Sequence, residues 1–263
     1  YFIYKLITYV CVFKQKIIRI KIIKKINQMN INIDKIRKTE SSPKIIRNFI
    51  NNDKINELIS LYEKLPLTVH NKKQNVKKKR WISGFNKKME EWYYDELKKI
   101  IGEFKMDNLL TENNEEILGL FQESYSPIGL HVDSGFNDKN FIYKQTLIPL
   151  TPFGSTVIFK NKFYKGSTNF TIDKDELSKT NLKYGQNSRS SEHLKLYGDK
   201  PFDNKIHKKF LAHEKIENLS GLEVECIFQW EVGSLLVFDR SHLHASSSQI
   251  KDKKIGLTTF TKK

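Results

Sequence analysis

Two stretches in the first half of the chain carry apolar residues at helical spacing. The first, capped by Asn52 or Asp53, has five of them at intervals of one or three residues: Ile55, Leu58, Ile59, Tyr62 and Leu65. The second runs from residue 87 to 101, and Gly102 is placed to end it. A short β-like run at 44–50 precedes both. The pattern therefore predicts two amphipathic helices near the start of the fold.

From residue 117 onward the pattern changes to short apolar runs separated by Gly, Pro, Asn and Asp, which is typical of strands and turns. In the run 222–230, apolar side chains occupy every second position, as in an antiparallel strand buried on one face. The predicted strands are 117–125, 141–150, 155–159, 222–230, 234–238 and 255–261. Helices followed by about seven strands indicate helices packed outside a β-sandwich or barrel.

Two regions do not fit this regular pattern. Residues 160–220 form a polar stretch with little alternation, which we expect to be a mobile insertion or a lid. Residues 1–28 carry seven cations and no acid, and their first apolar stretch, 1–13, is too short to span a bilayer. We expect 1–28 to be a leader or an overlong translation outside the fold, or alternatively a membrane-surface segment, and 29–263 to form one domain.

The composition describes a soluble, basic protein. Lys and Arg number 46 against 30 Asp and Glu, a formal net charge of +16, of which the first 28 residues supply seven. Only six of the cations are Arg, and the densest run, Lys72 to Arg80, is expected to lie in a solvated loop. Specific nucleic-acid binding is therefore not expected. Cys11 and Cys226 are too few for a disulfide framework or a zinc site, which favours a cytoplasmic location and metal ligation by nitrogen and oxygen alone.

Candidate chemistry is concentrated at three places. His131 and Asp133 are two residues apart, so in extended backbone they present an imidazole and a carboxylate to the same side. The apolar run after Gly233 leads into a segment with His242 and His244, either of which can supply a third ligand. Two His and one carboxylate leave three positions on iron open. Lys254 then begins the last strand, where its charge can pair with a carboxylate of a dicarboxylate cosubstrate.

The order of these motifs resembles the non-haem Fe(II)- and 2-oxoglutarate-dependent dioxygenases, and most of all their prolyl-hydroxylase-like and phytanoyl-hydroxylase-like branches. The resemblance covers residues 117–261 and includes the segments 147–156 and 233–239 between the motifs. It implies a mainly β fold with N-terminal helices and a double-stranded β-helix (jelly-roll, cupin-like) core. The implied helical portion is 42–105 and the implied core is 115–263.

The same resemblance implies roles for particular residues. His131, Asp133 and His244 would be the iron ligands, with His244 preferred over its rival His242 because of its spacing from the Phe-Asp pair. Lys254 would bind the distal carboxylate of 2-oxoglutarate.

Three further residues would help to hold the cosubstrate: Thr258 through its hydroxyl, and Tyr125 and Gln145 from strands at the barrel mouth, unless these two are ordinary strand residues. Many relatives have Arg-x-Ser where this chain has Lys254-Ile255-Gly256, so a hydroxyl is missing at residue 256.

The implied activity is hydroxylation of a substrate, with Fe(II), O₂, 2-oxoglutarate and ascorbate as an accessory reductant, and with release of succinate and CO₂. The intact Asp133 argues against halogenation. Two alternatives stay open: a non-catalytic jelly-roll binding protein, and an AlkB-like nucleic-acid demethylase, which Phe260 in place of a second arginine disfavours. Neither the substrate nor the oligomeric state follows from the sequence.

Overall fold

The computed structural model of the protein describes residues 33–71, 76–107, 115–133, 141–164, 168–171, 187–188 and 198–263. The chain divides into two compact units, Tyr1–Glu40 and Ser41–Lys263. In the first unit, residues 33–37 are helical, and the Thr39 hydroxyl donates to the Ile36 carbonyl at 2.8 Å. The predicted leader, 1–28, lies outside the described residues and stays a prediction, as do the predicted domain boundaries. All features below belong to the second unit.

Three α-helices lie in the described part of this unit. They are α1 (Asn52–Lys64), α2 (Lys87–Ile101) and α3 (Asn204–Phe210), and a 3₁₀ turn follows at Ile216–Leu219. Helix α2 has the predicted bounds and ends at Gly102, whose φ of 72° favours glycine. The cap of α1 is Asn51 rather than the predicted Asn52 or Asp53, because the Asn51 side chain accepts from the Lys54 amide at 3.0 Å.

Fourteen described strands form two sheets, in which most neighbouring strands are antiparallel. In chain order they are β1 (Lys44–Ile46), β2 (Val69–Asn71), β3 (Val76–Ile82), β4 (Lys105–Met106), β5 (Ile117–Ser124), β6 (His131–Val132), β7 (Ile142–Pro149), β8 (Ser155–Lys162), β9 (Thr168–Thr171), β10 (Asn187–Ser188), β11 (Val224–Gln229), β12 (Leu235–Asp239), β13 (His242–Ser246) and β14 (Lys254–Lys262). The larger sheet has the order β1-β12-β7-β14-β5-β3-β2, with β4 beside β14, and the smaller has the order β10-β9-β6-β13-β8-β11.

Eight of these strands make a double-stranded β-helix. Four lie side by side in the larger sheet as β12-β7-β14-β5, and four in the smaller sheet as β6-β13-β8-β11. Along the chain they alternate between the two sheets, except that β8 and β11 are antiparallel neighbours in one sheet. This is the connectivity of a jelly roll, and the predicted fold class is confirmed.

The apolar side chains form layers around the two sheets. One cluster joins α1 and α2 to the outer face of the larger sheet through residues such as Trp81, Tyr93 and Leu257. A second lies between the sheets and contains Leu147, Ile158, Phe228, Trp230, Leu236 and Phe238. A third covers the outer face of the smaller sheet. The predicted helices therefore pack outside the barrel, and the apolar interior lies between the sheets.

One expectation for the polar segments was wrong, and the other stays open. The described part of the Lys72 to Arg80 run is not a loop, because residues 76–82 form β3 and pair with β5. The polar stretch 160–220 contains the end of β8, helix α3 and the 3₁₀ turn, and Leu211 and Leu219 pack in the cluster outside the smaller sheet. Its remaining residues lie largely outside the described part, so a role as a lid stays a prediction. Among the described residues, no helix is long and apolar enough to cross a membrane.

Candidate metal centre

Strand pairing brings His131 and His244 together. His131 on β6 lies directly opposite His244 on β13, and the centroids of the two imidazole rings are 4.2 Å apart. Directly paired residues on antiparallel strands point to the same side of a sheet. Both imidazoles therefore face the same space.

Asp133 completes a group of three. It follows β6 directly, and its Oδ2 lies 3.6 Å from His131 Nε2 and 3.3 Å from His244 Nε2. One ligand atom from each of the three residues lies within 4.8 Å of the other two. The structure thus brings together the three residues that the sequence predicted as iron ligands.

Backbone carbonyls fix the orientation of both rings. The Nδ1 of His131 donates to the Gly129 carbonyl at 2.7 Å, and the Nδ1 of His244 donates to the His242 carbonyl at 3.1 Å. With the proton held on Nδ1, the lone pair of each ring is on Nε2, the atom that faces Asp133. A histidine that ligates a metal usually has this arrangement.

Two polar side chains hold Asp133 in place. Gln145 Nε2 donates to Asp133 Oδ2 at 3.1 Å, and Arg240 Nε donates to the Asp133 carbonyl at 3.3 Å. The guanidinium of Arg240 is fully buried and is anchored by Asp107 at 2.6 Å. Gln145, predicted as a cosubstrate contact, therefore touches a candidate ligand directly.

Arg240 and Asp107 were not among the site residues predicted from the sequence. The sequence does give a hint for Arg240, which directly follows the apolar run 235–238 and Asp239. A charged residue at the end of a buried strand is seldom buried without a partner.

The segment before His131 is tied to two other parts of the chain. Ser246 on β13 accepts from the Ile128 amide at 2.6 Å and donates its own amide to the Ile128 carbonyl at 3.0 Å. The Glu214 carboxylate accepts from the Leu130 amide. These bonds fix the backbone that carries His131, and nothing in the local sequence pattern marked Glu214 for this role.

His242 is buried but belongs to a different polar cluster. Its Nε2 lies 3.2 Å from Glu225 Oε2, and its Nδ1 lies 3.2 Å from the Asp239 carbonyl. The pairing of β13 with β8 shifts its register between His242 and His244. Although the two histidines are two residues apart on one strand, they therefore have different surroundings. The geometry favours His244 as the third ligand.

The three side chains depend on one another electrostatically. Burial lowers the pKa of His131, but the Asp133 carboxylate raises it by more, so the net shift is upward. Burial and then the charge of His131 lower the pKa of His244. Burial raises the pKa of Asp133, but the two histidines outweigh it and hold that pKa well below its usual value. Asp133 is therefore an ionised carboxylate between two imidazoles, as a cation site requires.

Lys254 is a buried cation at the start of β14. Only 3% of its surface is exposed, and its Nζ lies 4.0 Å from the centroid of the Trp230 ring. No acidic side chain among the described residues pairs with it, and burial lowers its pKa to about 7. A buried cation without a counter-charge is costly, so the position suits an anionic ligand. The carboxylate partner predicted for Lys254 is consistent with this environment.

The missing hydroxyl at Gly256 has a steric reason. A Cβ on Gly256 would lie 2.8 Å from Cη2 of Trp230 and 3.0 Å from Cδ1 of Leu147. The indole of Trp230 is held in this position because its Nε1 donates to the Thr156 hydroxyl at 3.0 Å. Glycine thus makes room for the ring that lies under Lys254.

Lys254 and the metal group border the same apolar cluster between the sheets. Trp230 lies against Lys254, and Phe238, in the same apolar cluster, packs edge-on against the His244 ring at 5.1 Å. Thr258 is half-buried on the same strand face as Lys254 and Gly256. Lys254 and His244 therefore both contact side chains of the apolar cluster between the sheets.

Tyr125 does not join this group. It is 40% exposed, and its hydroxyl donates to Glu123 at 2.9 Å. Its predicted contact with the cosubstrate stays a prediction.

Comparisons with known proteins are informative only at the level of structure. No protein-family model matches the chain, and no curated protein matches it. Among solved structures, it is similar to an oxidoreductase of the 2OG-Fe(II) oxygenase family from Burkholderia pseudomallei, at 10% identity, 89% of each chain and a TM-score of 0.46. HygX from Streptomyces hygroscopicus, with nickel and 2-oxoglutarate bound, matches at 11% identity, over 86% of this chain and 83% of that one, with a TM-score of 0.46.

A Pseudomonas putida prolyl-4-hydroxylase matches at 10% identity, over 89% of this chain and 98% of that one, with a TM-score of 0.45. At these values the likeness concerns the general path of the chain and assigns no role to any residue. The double-stranded β-helix and the group of His131, Asp133 and His244 are properties of this chain itself.

Proposed function

We propose that the protein is an Fe(II)- and 2-oxoglutarate-dependent dioxygenase that hydroxylates its substrate and releases succinate and CO₂. The observation that carries this proposal is the convergence of His131, Asp133 and His244 between the sheets of a double-stranded β-helix. Two imidazoles and one carboxylate that leave further positions open are the characteristic ligand set of non-haem Fe(II) oxygenases.

The geometry of the three residues fits a first-row metal ion. Metal-to-ligand bonds of about 2.1 Å at right angles place neighbouring ligand atoms about 3 Å apart. The separations of 3.3 and 3.6 Å between Asp133 and the two imidazoles need only a small adjustment to reach that value. Both rings already present Nε2, and Gln145 orients the carboxylate.

The surroundings of Lys254 fit the cosubstrate. 2-Oxoglutarate has a carboxylate remote from its chelating keto acid, and Lys254 is a buried ammonium without an acidic partner among the described side chains. A charge-assisted bond between them would satisfy both groups. The half-buried hydroxyl of Thr258 lies on the same face and can donate a second bond.

Each part of the site has a separate task. His131, Asp133 and His244 would hold the ion, while Gln145 and the buried Arg240 keep Asp133 oriented. Together with O₂ and 2-oxoglutarate, ferrous iron would supply the oxidising power for hydroxylation, and ascorbate would keep it reduced. The apolar cluster around Trp230 and Phe238 excludes water from the reacting groups. The expected cytoplasmic location stays part of this proposal.

The direct test is formation of succinate from 2-oxoglutarate in the presence of Fe(II) and ascorbate, together with calorimetric binding of Co(II), a stable substitute for Fe(II). We expect H131A, D133A and H244A to lose both metal binding and turnover. The matched control is H242Q, which removes the rival imidazole and keeps its size. We expect it to retain metal binding.

Circular dichroism shows which of these variants are folded. Unchanged metal binding in folded H131A, D133A and H244A would overturn the proposal and favour a non-catalytic binding protein. Loss of metal binding in H242Q with retention in H244A would instead move the third ligand to His242.

A further inference from the structure

The strand β3 continues the larger sheet beyond the barrel, and its register shows which way its side chains point. Gly256 on β14 pairs with Gln122 on β5, which pairs with Lys78 on β3. In the same way, Thr258 pairs with Leu120, and Leu120 pairs with Arg80. Residues paired directly across antiparallel strands face the same side of the sheet. Lys78 and Arg80 therefore share a face with Gly256 and Thr258.

That face is the one turned to the barrel interior. A Cβ on Gly256 would meet Trp230 and Leu147, which both belong to the cluster between the sheets. Lys78 and Arg80 lie on the continuation of this face, two strands away from β14.

The cations on the two faces of β3 differ in their partners. On the outer face, Lys77 Nζ bonds Glu123 at 2.8 Å, and Lys79 Nζ bonds the Tyr62 carbonyl at 2.7 Å and lies over the Tyr62 ring. On the inner face, Lys78 and Arg80 are half-buried, and no acidic side chain in the described part of the chain pairs with either. Lys79 thus ties β3 to α1, and Lys77 pairs with Glu123 of the neighbouring strand β5. No acidic side chain in the described part of the chain balances the charges of Lys78 and Arg80.

We propose that Lys78 and Arg80 bind an anionic group, a phosphate or a carboxylate, on the substrate of the proposed oxygenase. Two residues along a strand separate their Cβ atoms by about 6.7 Å, a spacing at which an ammonium and a guanidinium can contact one small anion from two sides. The fork of Arg80 suits the planar or tetrahedral oxygens of such groups. The identification of the anion's carrier as a substrate rests on the proposed function. Binding of the anion itself does not.

The site is distinct from that of the cosubstrate. Neighbouring strands are about 4.8 Å apart, so β3 lies about 10 Å from β14 and Lys254. The two positions can thus be occupied together, with 2-oxoglutarate at Lys254 and the charged end of the substrate at Lys78 and Arg80. The excess of positive charge in the whole chain would draw such a substrate towards the protein.

The test is titration of the full chain with inorganic phosphate, followed by ³¹P NMR, and with ¹³C-labelled acetate. Four proteins are compared: the unchanged chain, K78Q/R80Q, the charge-matched control K87Q/K88Q on the exposed first turn of α2, and K254M. We expect K78Q/R80Q to weaken binding of at least one anion by about tenfold or more, since charge-assisted bonds are lost. K87Q/K88Q should change it by less than about twofold. K254M, which removes the other buried cation that a carboxylate can reach, should retain the binding that K78Q/R80Q loses.

Thermal unfolding establishes that each protein is folded, and K78Q and R80Q alone replace the double variant if it is not. The proposal is overturned if neither anion binds saturably, or if K78Q/R80Q binds both as the unchanged chain does. A single-stranded oligothymidylate, followed by fluorescence anisotropy, provides the remaining comparison. If it binds through Lys78 and Arg80 while neither small anion does, the partner is a nucleic acid and the proposal is wrong.

Binding of 2-oxoglutarate, measured in the same proteins, separates this proposal from the proposed function. If 2-oxoglutarate binds through Lys254 but K78Q/R80Q binds phosphate and acetate as tightly as the unchanged chain does, only the anion site fails. If the anions bind through Lys78 and Arg80 but 2-oxoglutarate does not bind at all, the anion site stands and the oxygenase proposal fails.

Discussion

Glu123 and Lys254 are buried charges of opposite sign on neighbouring strands of the larger sheet. Lys254 pairs with Ser124, the residue next to Glu123, so the two charged side chains face opposite sides of the sheet. Their exposure is nearly equal, at 5% for Glu123 and 3% for Lys254. They differ in what surrounds them.

The protein supplies every partner that Glu123 needs. Its carboxylate accepts from Tyr62, from Lys77 at 2.8 Å and from Tyr125 at 2.9 Å. Burial raises the pKa of Glu123, but these bonds outweigh burial and lower it to about 2. Lys254 has an aromatic ring beside it and no acidic partner among the described residues. A buried charge with internal partners stabilises the fold, whereas one without them is a candidate for ligand binding.

Removing the charge of Glu123 should have the largest effect on stability. We expect E123Q to lower the free energy of unfolding by about 3 kcal/mol, because Lys77, Tyr62 and Tyr125 lose their charged acceptor and one carboxylate oxygen is replaced by an NH₂ donor. Affinity for 2-oxoglutarate should stay within about twofold. Urea unfolding and calorimetric titration measure the two quantities, and E63Q, on the exposed side of α1, is the control. A loss of 2-oxoglutarate affinity without a loss of stability would contradict the assignment of Glu123.

Removing the charge of Lys254 should weaken ligand binding and leave stability intact, the reverse of the effect at Glu123. We expect K254M to weaken 2-oxoglutarate binding by about 100-fold, equivalent to about 3 kcal/mol, since the charge-assisted bond is lost. The free chain should be as stable as before or more stable, because an unpaired buried charge has been removed. The same two measurements apply. A destabilised K254M that still binds 2-oxoglutarate would show that Lys254 is structural.

Packing around Lys254 can be tested at Gly256. We expect G256A to cost about 2 kcal/mol of stability, since the new methyl group would overlap the Trp230 ring. W230F should relieve part of that cost in the double variant, because the smaller ring leaves space. A double-mutant cycle of unfolding free energies measures the coupling. Additive effects would indicate that Trp230 does not exclude a side chain at this position.

The two charges should also respond to pH in separate ranges. The pKa of Lys254 is about 7 in the fold against an ordinary 10.5, so the unfolded chain binds more protons between these values, and stability should rise as the pH rises from 7 to 10.5. The pKa of Glu123 is about 2 against 4.5, so its stabilisation should be lost as the pH falls from 4.5 to 2.

For 2-oxoglutarate, affinity should fall above pH 7 by up to about tenfold per pH unit, equivalent to about 1.4 kcal/mol, as Lys254 loses its proton. K254R, which stays charged, is the control and should bind with little dependence on pH. An affinity in the unchanged chain that is independent of pH between 7 and 9 would argue against Lys254 as the binding group.

Local patterns in the sequence predicted some elements well. Helix α2 begins and ends at the predicted residues because apolar spacing and a glycine terminator are encoded within the segment itself. Strand β3 was missed because its four consecutive cations show no apolar alternation. It is a strand because β5 supplies a partner for its backbone, and Glu123 and Tyr62 supply partners for Lys77 and Lys79.

The sequence alone determined the kinds of ligand that are present and the shared direction of His131 and Asp133, since residue chemistry and strand period are local properties. Only the tertiary structure decided that His244 rather than His242 joins them, through the pairing of β13 with β6 and a register shift against β8. It also placed Arg240 on the Asp133 carbonyl, 107 residues away along the chain. Such contacts depend on the register of whole sheets, which no short segment encodes.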